Sequence, residues 1–177
     1  MVGLSARTIG LLMSLVGLLI APASANDARL TVGAGAFDFY NGTDTAAGVA
    51  VEVRGPVSPP SWSSETFLGF APAIGVIANS DEGGLVYAMV TLPFVFGHGD
   101  YEFDLSAGVG AYEQGNSNLD LGGTAQFILG MSGSRALANG HRIGVTARHA
   151  SNADLQKTNR GVNTLMVTWT IPFLQSR

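Results

Sequence analysis

From Tyr101 to Ala111 the chain alternates. Tyr101, Phe103, Leu105, Ala107, Val109 and Ala111 are apolar, while Glu102, Asp104, Ser106, Gly108 and Gly110 between them are polar or small. A period of two held over this length predicts a strand with one apolar and one polar face. Comparable runs recur along the chain, cut by clusters of Gly, Asn, Asp and Pro that mark turns. They predict eight strands, near 28–39, 47–54, 65–78, 85–94, 101–112, 123–133, 142–151 and 164–173. In the sixth, Ala125, Phe127, Leu129 and Met131 share one face, and Ile128 is an apolar exception on the other. In the last, Leu165, Val167, Trp169, Ile171 and Phe173 alternate with Thr164, Met166, Thr168 and Thr170.

The polar faces carry mostly Gly, Thr and Ser, with an occasional Glu or Arg. A solvated sheet face would carry Lys and Glu, so these faces read as enclosed, and the apolar ones as the outside. The expected fold is all-β: an eight-stranded antiparallel transmembrane β-barrel, narrow enough for side chains to fill its lumen. Glu52, Arg54, Glu102, Asp104 and Arg148 are the charges expected to pair there. Tyr40, Trp62, Tyr101, Tyr112, Trp169 and Phe173 lie near strand ends, where girdles at two membrane interfaces need aromatic rings. A secreted lipocalin-like barrel or sandwich is the alternative architecture. Met89, Met131 and Met166 read as wall or lumen filler.

The first residues read as an address. Arg7 precedes an apolar run from Ile9 to Ile20, followed by Ala23-Ser24-Ala25, the small residues a signal peptidase reads. The run is too short for the ~20 residues a membrane helix needs. Residues 1–25 are therefore expected to be a signal peptide and residues 26–177 the barrel. An exported barrel implies the outer membrane of a Gram-negative bacterium. An even strand number puts both termini in the periplasm, with outside loops at 40–46, 79–84, 113–122 and 152–163. The turns at Gly55–Ser64, Gly97–Asp100 and Ser134–His141 then face the periplasm, and the Pro-rich Pro56–Pro60 stretch is long for one of them.

Composition narrows the chemistry. Only 12% of the 177 residues are charged, about half the usual share, and 13 acids outnumber 9 Lys and Arg, so no cationic footprint for nucleic acid exists. With no Cys there is no thiolate chemistry. His98 and His141 fall in or beside turns at the end opposite His149, so the three cannot converge on a metal, and no cofactor is expected. Gly33 and Gly35 read as strand residues, not as a phosphate cradle.

Strand seven breaks the pattern. By its parity Val145 and Ala147 point to lipid and Thr146 and Arg148 into the lumen, so His149 and Ser151 inherit the lipid-facing side. Two residues apart on one strand, their Cα atoms stand ~6.6–6.8 Å apart, within reach for an imidazole to lean onto a hydroxyl. Ionisable groups facing lipid are costly and call for a reason. A position among head groups at the outer rim is one reason, since there the cost falls to about 0–1 kcal/mol; a catalytic pair is the other.

Arg148-His149-Ala150-Ser151-Asn152-Ala153, then Asn159-Arg160-Gly161 and Asn163 before a closing alternating strand, resembles the signature of the lipid A 3-O-deacylase (PagL-type) family over roughly 145–173. The resemblance implies an outer-membrane barrel with a serine esterase site on its outer wall, and hydrolysis of the ester at the 3 position of lipid A in lipopolysaccharide. Ser151 then stands as nucleophile and His149 as its base, and Asn152, directly after the nucleophile, as the oxyanion donor. A third catalytic member, usually acidic in that family, is matched here by Asn163.

Pairing strands seven and eight with an index sum of 312 sets His149 opposite Asn163, and Ala147 opposite Leu165, all on the lipid face. Asp154 is the alternative acid, close in sequence only. It stands where the family tends to have Gly, and Arg160 stands where Pro is frequent. Asn159 and Gly161 are expected to shape the loop. Lys157 and Arg160 are either solvated loop charges or contacts for anionic sugar phosphates. An esterase acting on phospholipid, and a non-catalytic small barrel with a structural or surface-interaction role, are the competing functions. Homodimerisation is compatible with the sequence.

Overall fold

The computed structural model describes residues 28–40 and 45–172. The expected signal peptide and Phe173 lie outside the described residues. Eight strands follow one another: β1 (Arg29–Phe37), β2 (Ala46–Arg54), β3 (Ala71–Asn79), β4 (Gly84–Phe96), β5 (Tyr101–Glu113), β6 (Ala125–Ala136), β7 (Arg142–Ser151) and β8 (Val162–Pro172). Each pairs antiparallel with its neighbours, and β1 closes on β8, giving an eight-stranded antiparallel transmembrane β-barrel without an open edge. The ends of β1 and β8 near Arg29 and Pro172 define a lower rim; residues 38–40 and the loops 80–83, 114–124 and 152–161 lie at the upper rim.

Alternation along the strands becomes inside and outside. On β5, Tyr101, Phe103, Leu105 and Val109 are exposed on the outer wall while Glu102 and Tyr112 are buried in the lumen. An outer band that also holds Val49, Val90, Leu129, Met131, Val145 and Val167 is a surface for lipid, not water. Among the described residues no helix is long and apolar enough to cross a membrane.

The lumen has two storeys. In the lower one the charges expected to pair do so: Arg54 lies 2.9 Å from Glu102 and 3.2 Å from Asp104, and Arg148 is paired with Glu52. Arg29 adds a contact of 2.8 Å to Glu102. The upper storey is apolar, which gives Ile128 its place: it packs inside with Phe37, Ile77, Leu85, Tyr112, Val162 and Met166. Leu119 and Leu121 of the loop after β5 fold over this plug, almost fully buried. Tyr112 is thus not an interface ring as expected. Its even parity turns it inward, where its hydroxyl donates to the Leu119 carbonyl at 2.8 Å.

The Pro-rich turn also differs from expectation. The strand expected over 65–78 begins at Ala71, yet Phe67 still bridges Phe94. Between the pairs Ala71–Thr91 and Phe67–Phe94, four steps on one strand oppose three on the other, which is a β-bulge. Gly69 sits in it at φ 133°, a conformation open to glycine alone. The segment is therefore a bent continuation of the β2–β3 hairpin. Its end is pinned by Trp62 stacked on Phe67 at 5.1 Å and Phe67 against Phe94 at 5.2 Å.

Candidate active site on the outer wall

The upper end of β7 carries the polar exception on an apolar wall. Its odd residues face outward, so His149 is exposed and Ser151 half-buried on the same side, while Arg148 and Ala150 between them are buried. The ladder between β7 and β8 pairs His149 with Asn163, Ala147 with Leu165 and Val145 with Val167. His149 Nδ1 and Asn163 Oδ1 are 3.0 Å apart. An amide oxygen only accepts, so Nδ1 carries the hydrogen of this bond, which in a neutral ring leaves the lone pair on Nε2. Across β6 the same row holds Phe127 opposite Ser151 and Leu129 opposite His149, both largely exposed and apolar.

Gly161 supplies the floor under the ring. A methyl group at its Cα would stand 2.8 Å from Cε1 and 3.4 Å from Nε2 of His149, and the backbone there is at φ 67°. Both facts favour glycine: a larger residue would push the imidazole from its place, and the left-handed conformation disfavours one. The loop residue expected to shape the turn thus touches the ring itself.

Asn152, expected as an oxyanion donor through its side chain or its backbone N–H, is engaged between the loops. It is buried by its inward parity, and its side-chain amide donates to the Leu121 carbonyl at 2.7 Å and to the Thr158 carbonyl at 2.5 Å. Its backbone N–H donates to Asn159 Oδ1 at 3.1 Å. All three hydrogens are engaged, and the residue ties the loop after β5 to the loop after β7 directly behind Ser151. Asp154 is taken up by Asn159, whose amide donates to it at 2.9 Å. The acid closest in sequence therefore supports the loop, and the amide selected by register holds the imidazole. Among the described residues no hydrogen bond joins the Ser151 hydroxyl to His149.

His98 and His141 lie at the lower rim. His98 is in the 97–99 turn, and His141 accepts the Trp169 indole N–H at 3.1 Å. On the upper rim, Arg160 lies 3.6 Å from Asp38, a residue with no exposed surface. Thr45 donates to the Asp38 carbonyl at 2.8 Å, and the N–H of Phe39 donates to the Asn163 carbonyl at 3.2 Å. Asp38, Leu121 and Thr158 escaped the sequence reading. Their contacts join loops far apart in the chain and leave no local pattern.

The family model described as Lipid A 3-O-deacylase (PagL) matches residues 45–172. Among solved structures, that of the outer membrane enzyme PagL is similar over 82% of this chain and 99% of its own, with a TM-score of 0.66 and 18% identity. Neisserial surface protein A (NspA) is similar over 82% of this chain and 96% of its own, with a TM-score of 0.50 and 12% identity. None of the curated proteins matches the chain.

Proposed function

The chain belongs to the lipid A 3-O-deacylase (PagL) family, and from that premise we propose that it is an outer-membrane esterase that removes the 3-O-linked acyl chain of lipid A. Residues 1–25 direct its export, the lower rim faces the periplasm, and the upper rim lies at the outer leaflet, where lipopolysaccharide resides. An enzyme whose substrate is a membrane lipid must present its nucleophile sideways. The observation that carries the reading is the His149–Asn163 bond of 3.0 Å on the same outward face as Ser151.

In this mechanism Ser151 Oγ attacks the ester carbonyl while His149 Nε2 takes its proton. Asn163 Oδ1 holds Nδ1–H, fixing tautomer and ring direction. The tetrahedral intermediate collapses as His149 returns the proton to the leaving sugar oxygen, and water, activated by the same imidazole, hydrolyses the acyl-enzyme. Asn152 retains its expected role through its backbone N–H: a developing oxyanion displaces the neutral Asn159 oxygen, because a charge-assisted bond is about twice as strong. Its side-chain amide meanwhile keeps the loops in place. Asn163 orients the ring but brings no charge to the imidazolium; in the serine-protease triad the acid-to-amide change costs about 10⁴ in turnover. No step needs a cofactor.

Mass spectrometry of lipid A from a lipopolysaccharide-bearing host expressing the wild type or Ser151→Ala tests this. Loss of one hydroxyacyl chain with the wild type alone is expected. An unchanged profile with folded wild-type protein refutes the proposal.

A further inference from the structure

We infer that Asp38 and Arg160 form a positioning pair for His149; the inference rests on the reading of His149 and Ser151 as base and nucleophile. The imidazole is held on two sides. Asn163 engages Nδ1, and the Cε1–Nε2 edge rests on Gly161. The direction of Nε2, the atom that must reach Ser151, is therefore set by where the backbone at Gly161 lies.

That backbone is anchored immediately before Gly161. Asn159 ties it to Asn152 and Asp154, and Arg160 ties it to Asp38 on the loop after β1. Asp38 is itself fixed. It is fully buried at φ 58°, its carbonyl accepts the Thr45 hydroxyl, and the next N–H, that of Phe39, bonds the carbonyl of Asn163. One short segment of the first loop thus holds both supports of the imidazole, Gly161 through the ion pair and Asn163 through its backbone. At 3.6 Å the Arg160–Asp38 contact is an ion pair, not a hydrogen bond, so charge matters more than guanidinium shape.

The test uses Asp38→Asn, Arg160→Gln, the double variant and Arg160→Lys in full-length protein folded in detergent, with folding checked by heat-modifiable gel mobility. Glu113→Gln, which removes an exposed charge at the upper end of β5, is the control. Each single neutralisation is expected to lower kcat about ten-fold with KM changed less than two-fold. The double variant should be no worse than the singles, because paired groups act as a unit. Arg160→Lys should retain most of the activity, and Glu113→Gln all of it. Nitrogen NMR of His149 should show the single Nδ1–H tautomer of the wild type giving way to a mixture in Asp38→Asn.

Unchanged kcat in the folded single variants, multiplicative losses in the double variant, or an equal loss in Glu113→Gln overturns the inference. Absence of hydrolysis by the wild type refutes the esterase reading instead. The tautomer measurement then still decides the pair: a mixture in Asp38→Asn supports it, and an unchanged ring overturns it.

Discussion

Restoring a carboxylate at position 163 isolates the one charge that the proposed mechanism lacks. Asn163→Asp keeps side-chain length and leaves an oxygen where Oδ1 now stands, 3.0 Å from His149 Nδ1. With the charge delocalised over both groups, the centres lie ~4.5 Å apart, and at a half-exposed site an effective dielectric of ~40–80 gives about 1–2 kcal/mol of added stabilisation of the imidazolium. That corresponds to roughly a five- to thirty-fold rise in kcat at ~1.4 kcal/mol per decade. The gain is far below the ~10⁴ of a buried triad, because solvent screens an exposed pair. The assay is the initial rate of ester cleavage by detergent-folded wild type and Asn163→Asp, on lipopolysaccharide and on a water-soluble ester. A rate unchanged or several-fold lower in the folded variant would refute the view that Asn163 faces a developing positive charge.

Other perturbations separate site from scaffold. Gly161→Ala places a methyl 2.8 Å from His149 Cε1 at a left-handed φ; ten-fold or greater loss of kcat is expected, with destabilisation of only about 1–2 kcal/mol, read by activity and by urea unfolding. Asn152→Ala strips donors from the Leu121 and Thr158 carbonyls. Limited proteolysis should then cut the loops 114–124 and 152–161 while the barrel persists, and activity should fall with loop integrity. Glu102→Gln removes the carboxylate shared by Arg29 and Arg54 in the lower lumen. Urea unfolding should show a loss of about 3–5 kcal/mol, the cost of breaking a buried pair, with kcat unchanged in the folded fraction.

The period-two pattern made the wall legible because a strand inside a closed barrel exposes each residue to lipid or lumen by parity alone. The same parity carried His149 to the outside, and continuing the β7–β8 ladder by index reached Asn163. Nearness to a strand end makes Tyr112 read as an interface ring, although its even parity turns it into the apolar upper lumen. Ile128 reads as an exception until that storey is seen to be apolar. The bulge at Gly69 is invisible to alternation, since one extra residue shifts the register without altering which residue types occur. Asn152 is legible as the residue after Ser151, but its partners Leu121 and Thr158 lie on two loops that meet only in the folded chain.

The most direct test of the outward-facing Ser151–His149 pair is covalent trapping. Folded protein in lipid vesicles is treated with a long-chain fluorophosphonate, which partitions into the bilayer, and the modified peptide is mapped by mass spectrometry. A single adduct on Ser151, lost in His149→Ala and faster in Asn163→Asp, is the expected result. An adduct on another serine, or labelling of Ser151 that persists without His149, would contradict the assignment of nucleophile and base.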